Sequence, residues 1–368
     1  MVFDHSRHTR IRDYVWTRRV HNCIGRNCKL CIGLHQIPSI GRTRIHRSYK
    51  TARAAIVRTQ ALSMFHRVLA RYSKIMDWKS RMRIAVLMTC FNRKDMTLEA
   101  LESLFSQKRI EDLAVTAYLV DDGSRDGTSQ AVAERFPQVS ILQGDGSLFW
   151  NGGMRKAFAE ALAANFDGYI WFNDDTRLED DALCRLIACA TEIKDSLGPE
   201  MKNSLGSTII VGSTRDPYTG ERSYGGVRKK RSGLRLDFLP QLPEDSRIVR
   251  CDTMNGNFTL IPVAVARRLG NLDGAFRHQL GDFDYGLRAM KAGIPIVIAP
   301  GYFGYCSDNL SHGTWRDSTQ PFAKRWKHLM SPKGAPPREW LLYTHRHFGW
   351  RWPFYAVSPY FKSVFSKR

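Results

Sequence analysis

Hydrophobic and polar positions follow two regimes along this 368-residue chain. From residue 82 onward, short apolar runs alternate with segments of helical period. Ile84–Cys90, Val115–Val120, Val139–Leu142 and Tyr169–Phe172 read as strands; Met96–Ser106, Gly127–Arg135, Met154–Ala164 and Asp180–Ile193 follow them as helices. Short continuous apolar runs fit strands buried on both faces, and the β-α-β-α order predicts a mostly parallel sheet covered by helices on both sides. After residue 205 the runs at Ser207–Val211, Ser223–Val227, Ile248–Cys251 and Phe258–Ile261 are separated by turns with few helices, which predicts a mixed or antiparallel second half. A last apolar strand is expected over Pro295–Ala299. Before residue 82 the periodicity is weak; the one helical stripe, Ile56, Leu62, Phe65, Val68 and Leu69, lies within Ala52–Ser73.

Charge divides the chain at the same place. Residues 1–81 carry 18 Lys and Arg against three acids, whereas the remaining residues carry 38 against 32, so most of the net charge of +21 sits in the first segment. The abrupt change at Met82 predicts that the domain begins there and that residues 1–81 are a basic, poorly ordered extension, even an upstream reading-frame extension. The rival reading is a tether to nucleic acid or an anionic membrane, but the segment lacks the aromatic platform that stacks single-stranded bases, so nucleic acid is not an expected partner. The eight cysteines show no disulfide framework, which fits a reducing cytoplasm. Cys23, Cys28 and Cys31, near His21 and His35, are a loose zinc pattern without a second C-x2-C pair. No apolar stretch reaches the roughly 18 residues of a membrane span.

Candidate chemistry gathers at strand ends. Asp174 and Asp175 follow the run Tyr169–Phe172, where an open α/β sheet binds ligands, and paired carboxylates there suit a hard divalent cation and the phosphates it carries; a plain turn and helix cap is the competing reading. The second strand ends in Asp121-Asp122-Gly123-Ser124, which can accept hydrogen bonds from a base or a ribose or serve as an Asx turn. Gly152 and Gly153, followed by Arg155 and Lys156, open a helix whose N-terminus favours an anion. Asp282 and Asp284 stand at the start of a helix; Asp282 is placed to take a proton from an attacking hydroxyl, or to cap. His312 follows the last strand and could contact metal or phosphate. Neither a G-x-G-x-x-G after the first strand nor a G-x-x-x-x-G-K-[ST] is present.

Five ordered elements together resemble the family 2 glycosyltransferases of GT-A fold, in particular the rhamnosyltransferase-like enzymes of bacterial surface-polysaccharide assembly. They are Thr89-Cys90-Phe91-Asn92-Arg93, Val120-Asp121-Asp122-Gly123-Ser124, Asn151-Gly152-Gly153-Met154, Asn173-Asp174-Asp175-Thr176 and Gly281-Asp282-Phe283-Asp284-Tyr285-Gly286-Leu287-Arg288. The resemblance implies an α/β GT-A domain over residues 82–312 with a Rossmann-like, mostly parallel sheet; residues 313–368 fall outside its motifs and read as a helical, aromatic and basic tail. It implies a nucleotide-sugar donor bound by Thr89, Asn92, Arg93, Asp121, Asp122, Gly152, Gly153, Arg155 and Asp174. It also implies a Mg²⁺ or Mn²⁺ ion at Asp175 and His312, with Gly256, Asn257 and Asp284 at the sugar and acceptor side. Asn173 replaces the first acid of the family's Asp-x-Asp motif, which favours Asp175 as the direct ligand. Gly281 replaces the first acid of its Glu-Asp motif, which leaves Asp282 as the base and Asp284 in reserve.

The expected reaction is inverting transfer of a hexosyl or deoxyhexosyl group to a hydroxyl of a glycan or lipid-linked acceptor. In the tail, Trp315, Trp326, Trp340, Trp350 and Trp352 are mixed with basic residues, which suits either peripheral contact with the inner face of a plasma membrane or packing against the domain. The rival functions are a nucleotidyltransferase of related sheet, whose Gly-rich loop after the first strand is missing, and a catalytically impaired nucleotide-sugar- or glycan-binding protein.

Overall fold

A computed structural model describes residues 81–196, 205–233, 235–308 and 313–365. The basic extension up to residue 80, its zinc pattern and His312 lie outside the described residues. The first strand, β1 (Met82–Cys90), is buried from Ile84 to Cys90, as its unbroken apolar run requires. It pairs in parallel with β2 (Leu113–Asp121) and with β4 (Gly168–Phe172), and β2 pairs in parallel with β3 (Ser140–Gln143). Helices α1 (Lys94–Phe105), α2 (Thr128–Arg135) and α3 (Phe149–Leu162) make the crossovers, and α4 (Ala182–Ser196) follows the two-residue β5 (Arg177–Leu178).

The second half reverses direction, as expected. Strand β11 (Phe258–Pro262) runs antiparallel between β4 and β6 (Ile209–Arg215), and β6 pairs in parallel with β12 (Ile296–Tyr305). The main path is β3-β2-β1-β4-β11-β6-β12-β5, with β9 (Val249–Cys251) added on β12. A smaller sheet joins β10 (Thr253–Met254), β7 (Gly226–Ser232) and β8 (Arg235–Pro240). This is the mostly parallel α/β sheet with a mixed second half that the GT-A expectation describes. The hairpin β7–β8 escaped the hydrophobic pattern because Arg228, Lys230 and Arg231 occupy its strand positions.

One side of the sheet buries Ile84, Val86 and Met88 under α1 and α4; the other buries Ala85, Leu87 and Trp171 under α3. Beyond β11 lie α5 (Val263–Leu269) and α6 (Gly281–Lys291). The tail forms α7 (Phe322–Met330), α8 (Pro337–His347), a 3₁₀ turn (Gly349–Arg351) and α9 (Trp352–Phe365). Its aromatic residues divide. Trp340 and Trp352 join a core with Phe276, Leu287, Tyr343 and Phe348, which ties α8 and α9 to α6. Trp326 lies against Phe322 and Tyr360, while Trp350 stays 62% exposed. Most of the tail's tryptophans therefore pack rather than face solvent.

Helix α3 begins five residues earlier than the periodicity predicts. Glycines are weak helix formers, so Gly152 and Gly153 read as the opening of the helix rather than part of its body. Tertiary packing decides otherwise: a Cβ on Gly153 would sit 2.0 Å from Thr89 Oγ1, so glycine there is what lets α3 lie against the end of β1.

Candidate active site

The carboxyl ends of β1 and β4, the 255–257 segment before β11, and the start of α6 surround a cleft of about 640 Å³. A smaller depression of about 180 Å³ adjoins it, sharing Arg93, Trp150, Asp174, His278 and Lys333 and reaching Thr89 and Asp122. Asp174 and Asp175 face the cleft from the turn after β4. Arg93 binds both, its Nη1 lying 3.2 Å from Asp174 Oδ1 and 2.8 Å from Asp175 Oδ2. Burial pushes the Asp174 carboxyl up to about 7, against the pull of Arg93 and with the Asp175 charge adding to the rise. Asp175 Oδ1 also accepts a hydrogen bond from Cys306 Sγ at 3.4 Å.

Asp282 lines the same cleft from the first turn of α6. Its hydrogen-bond partners are backbone groups: Gly256 N–H donates to Oδ2 at 3.2 Å and Phe283 N–H to Oδ1 at 2.8 Å. Burial raises its carboxyl to about 6, with those two N–H groups opposing. A carboxylate of that pKa is ionised at neutral pH yet basic enough to accept a proton. Asp284 goes elsewhere. Two residues along a helix are about 200° apart, and Asp284 points into the buried junction with α8. There it accepts from Arg288 Nε at 2.8 Å and Arg346 Nη1 at 2.7 Å and lies 2.8 Å from His347 Nε2. Burial would raise its carboxyl, but those partners hold it below the ordinary value. Asp284 is thus not beside the sugar or acceptor side, and it holds no reserve position for the base.

The remaining candidates divide by placement. Gly256 and Asn257 line the cleft, with a Cβ on Gly256 falling 2.5 Å from the Trp150 ring. Asn92 ties the loop after β1 to the loop after β2: its N–H donates to Ser124 Oγ at 2.8 Å, and its Oδ1 accepts from Arg125 N–H at 2.7 Å. Asp121 accepts from Ser124 N–H at 2.8 Å and from Ser129 Oγ. Asp122 accepts from the N–H groups of Gly146 at 2.9 Å, Leu148 at 3.3 Å and Phe149 at 2.9 Å, which fixes the loop entering α3.

The anion site expected at the start of α3 is otherwise engaged. Trp150 N–H donates to His278 Nδ1 and those of Asn151 and Gly152 to the Arg277 carbonyl. Gly152, Gly153 and Arg155 do not line the cleft, and Arg155 Nε donates to the Leu272 carbonyl at 2.9 Å. Gly281, standing where the Glu-Asp motif would have an acid, abuts Asn151: a Cβ there would lie 1.8 Å from Asn151 Oδ1.

Residues 85–222 match the family model described as Glycosyl transferase family 2. This region belongs to glycosyl transferase family 2. The match runs from β1 through β6 and takes in Asp174 and Asp175; Asp282 and the tail lie beyond it. No curated protein matches the sequence. Among solved structures, S. aureus TarS is 14% identical with a TM-score of 0.46, covering 73% of this chain, and this chain spans 44% of that one. S. aureus TarS 1–349 in complex with UDP is 13% identical with a TM-score of 0.46, with 77% of this chain and 81% of that chain covered.

The structure also brings residues to this cleft that the sequence left unmarked. Trp150 donates from Nε1 to Asn173 Oδ1 at 2.8 Å and sets its ring edge-on to Trp171. His278 is held down to about 4 by burial, with Lys333 and Arg93 adding to the fall, so it is neutral at physiological pH. Lys333, between α7 and α8, lines the cleft from the tail. Trp150 lay inside a loop already marked by its glycines; His278 and Lys333 carry no local motif.

Proposed function

We propose that the cleft transfers a sugar from a nucleoside-diphosphate sugar to an acceptor hydroxyl with inversion at the anomeric carbon. The observation that carries this is Asp282, an acid made basic by burial, lining the same cleft as the paired acids Asp174 and Asp175. In the proposed step the acceptor O–H gives its proton to an Asp282 carboxylate oxygen as the acceptor oxygen bonds to the anomeric carbon. The bond from that carbon to the diphosphate oxygen breaks, and its electron pair leaves with the diphosphate.

The donor set of Asp174 and Asp175 fits a divalent cation. Two hard oxygen ligands on adjacent residues, completed by substrate phosphates and water, are a usual Mg²⁺ arrangement, and a buried Asp174 needs a positive charge beside it to ionise. Among the described residues no group of three or more His, Cys, Asp or Glu could hold a metal by itself, so the site leans on donor phosphates. A Mg²⁺ or Mn²⁺ ion there would neutralise charge developing on the leaving diphosphate. Arg93 now bridges these carboxylates and must share or yield them when donor binds. Lys333, which lines the cleft, supplies a further positive charge to the leaving group.

The finer reading is hexosyl or deoxyhexosyl transfer to a glycan or lipid-linked acceptor in bacterial surface-polysaccharide synthesis, and it rests on the sequence resemblance. Arg93 filling the acidic pair favours one second reading, a nucleotide-sugar-binding protein without turnover. A screen of nucleotide-sugars for hydrolysis and transfer, with Mg²⁺, with Mn²⁺ and with a chelator, separates them. Metal-dependent release of nucleoside diphosphate supports transfer; full turnover in chelator removes the metal; tight donor binding with no release by any donor supports the second reading.

A further inference from the structure

Helix α9 carries an unpartnered apolar face. Its inner side is anchored: Ala356, Pro359 and Ser363 are buried, Tyr355 Oη accepts from Leu236 N–H at 2.6 Å, and Arg325 Nη2 donates to the Ser363 carbonyl at 3.1 Å. The outer side presents Phe354 at 69% exposure, Val357, Phe361 at 58%, Val364 and Phe365 at 72%, and Trp350 extends the row from the preceding turn. These positions recur at three- and four-residue spacing, so they form one stripe along the helix. A continuous row of exposed aromatics is not ordinary surface.

The charge beside the stripe indicates what covers it. From residue 313 to the end the sequence holds 11 Lys and Arg but only two acids, Asp317 and Glu339, and Glu339 is buried against Arg277. Lys362 is exposed on α9, Arg351 sits over the Trp350 ring, and Lys324 and Lys327 are exposed on α7, which packs on α9. A second copy docked through the same face would bring these cations against their own counterparts, since a two-fold interface is self-facing. An anionic bilayer surface satisfies both the aromatic stripe and the cations. At 14 residues α9 is too short to span, and no helix among the described residues is long and apolar enough to cross a membrane, so the helix would lie in the interface plane.

We propose that α9 is a lipid-docking helix that seats this domain on an anionic bilayer. Arg316 lines both the cleft and the depression bounded by Trp315, Lys362 and Phe365, so docking through α9 sets the cleft rim close to the lipid surface. The docking does not depend on the reaction in the cleft and is tested without it. The full chain is floated with phosphatidylglycerol–phosphatidylcholine vesicles and with phosphatidylcholine alone. It should co-float with the anionic vesicles, and less so as salt rises. Phe354→Ser with Phe361→Ser and Phe365→Ser should lower partitioning by about tenfold or more. Arg351→Glu with Lys362→Glu should weaken binding to anionic vesicles. Phe354, Phe361, Lys362 and Phe365 are exposed and Arg351 is half-buried, donating to the Gly233 carbonyl at 3.1 Å, so circular dichroism checks that both variants are folded. Independently, brominated acyl chains should quench the part of the tryptophan emission that Trp350→Phe removes. Unchanged flotation of the serine variant, no flotation of the native chain, no quenching of Trp350, or a concentration-dependent dimer abolished by the same substitutions would each overturn the proposal.

Discussion

The two ends of α6's first turn treat the same residue type in opposite ways. Asp282 faces the cleft, has backbone N–H partners, and is pushed up to about 6 by burial. Asp284 faces the tail, is surrounded by Arg288, Arg346 and His347, and is held low. Burial is common to both; the presence of cations is what differs. An acid buried without a compensating cation is a basic carboxylate available for chemistry, whereas one buried among cations is a structural tie. The tie has a function of its own, because it fixes α8 to α6 and with it the Lys333 side of the cleft.

The contrast is broken most sharply by Asp282→Asn. Transfer should fall by about 10²–10⁴-fold with nucleotide affinity unchanged by calorimetry; undiminished turnover removes Asp282 from the mechanism. Asp284→Ala should leave buried cations uncompensated and lower unfolding free energy by about 3–5 kcal/mol in denaturant titration. If instead it left stability alone and removed activity, the assignment of the two acids would be reversed.

Asp282→Asn should do the opposite to stability. The folded-state pKa of Asp282 lies above the ordinary carboxylate value, so its ionisation penalises the fold above pH 6 and no longer does so once both states are protonated. The asparagine variant should therefore gain on the order of 1–3 kcal/mol at alkaline pH and nothing in acid; equal midpoints at both would contradict a buried, strained charge. In the native enzyme, kcat/KM should be level above neutrality and fall about tenfold per pH unit below about 6, and a profile flat through that range would exclude Asp282 as the base. The smallest effect is expected from Trp150→Phe, which removes the bond to Asn173: a loss of about 0.5–1.5 kcal/mol in donor affinity, read as KM with kcat nearly constant.

The alternation of apolar runs from Ile84 to Phe172 was enough to place β1 to β4 and their helices, because strand burial and helix period are written in neighbouring residues. The acids at the ends of β2 and β4 and at the start of α6 were equally visible. What each acid faces was not. Asp121 and Asp122 look alike in sequence, yet the first is taken by Ser124 and Ser129 and the second by the loop entering α3. Gly152 and Gly153 look like the anion-binding start of a helix, but the helix begins before them and Gly153 packs closely on Thr89. The hairpin β7–β8 was hidden because its charged strand positions carry no apolar alternation.

By itself, then, the sequence determined the α/β order, the mixed second half and the strand ends where chemistry gathers, all consequences of periodicity within a few residues. Tertiary structure alone decided that Arg93 reaches Asp174 and Asp175, that Asp284 joins Arg346 and His347, and that Trp150, His278 and Lys333 share the cleft. It also decided which of the tail's aromatics are buried and which remain on α9's outer face. Those partners lie tens of residues apart, and only packing of the sheet, α6 and the tail fixes which face of each element meets which.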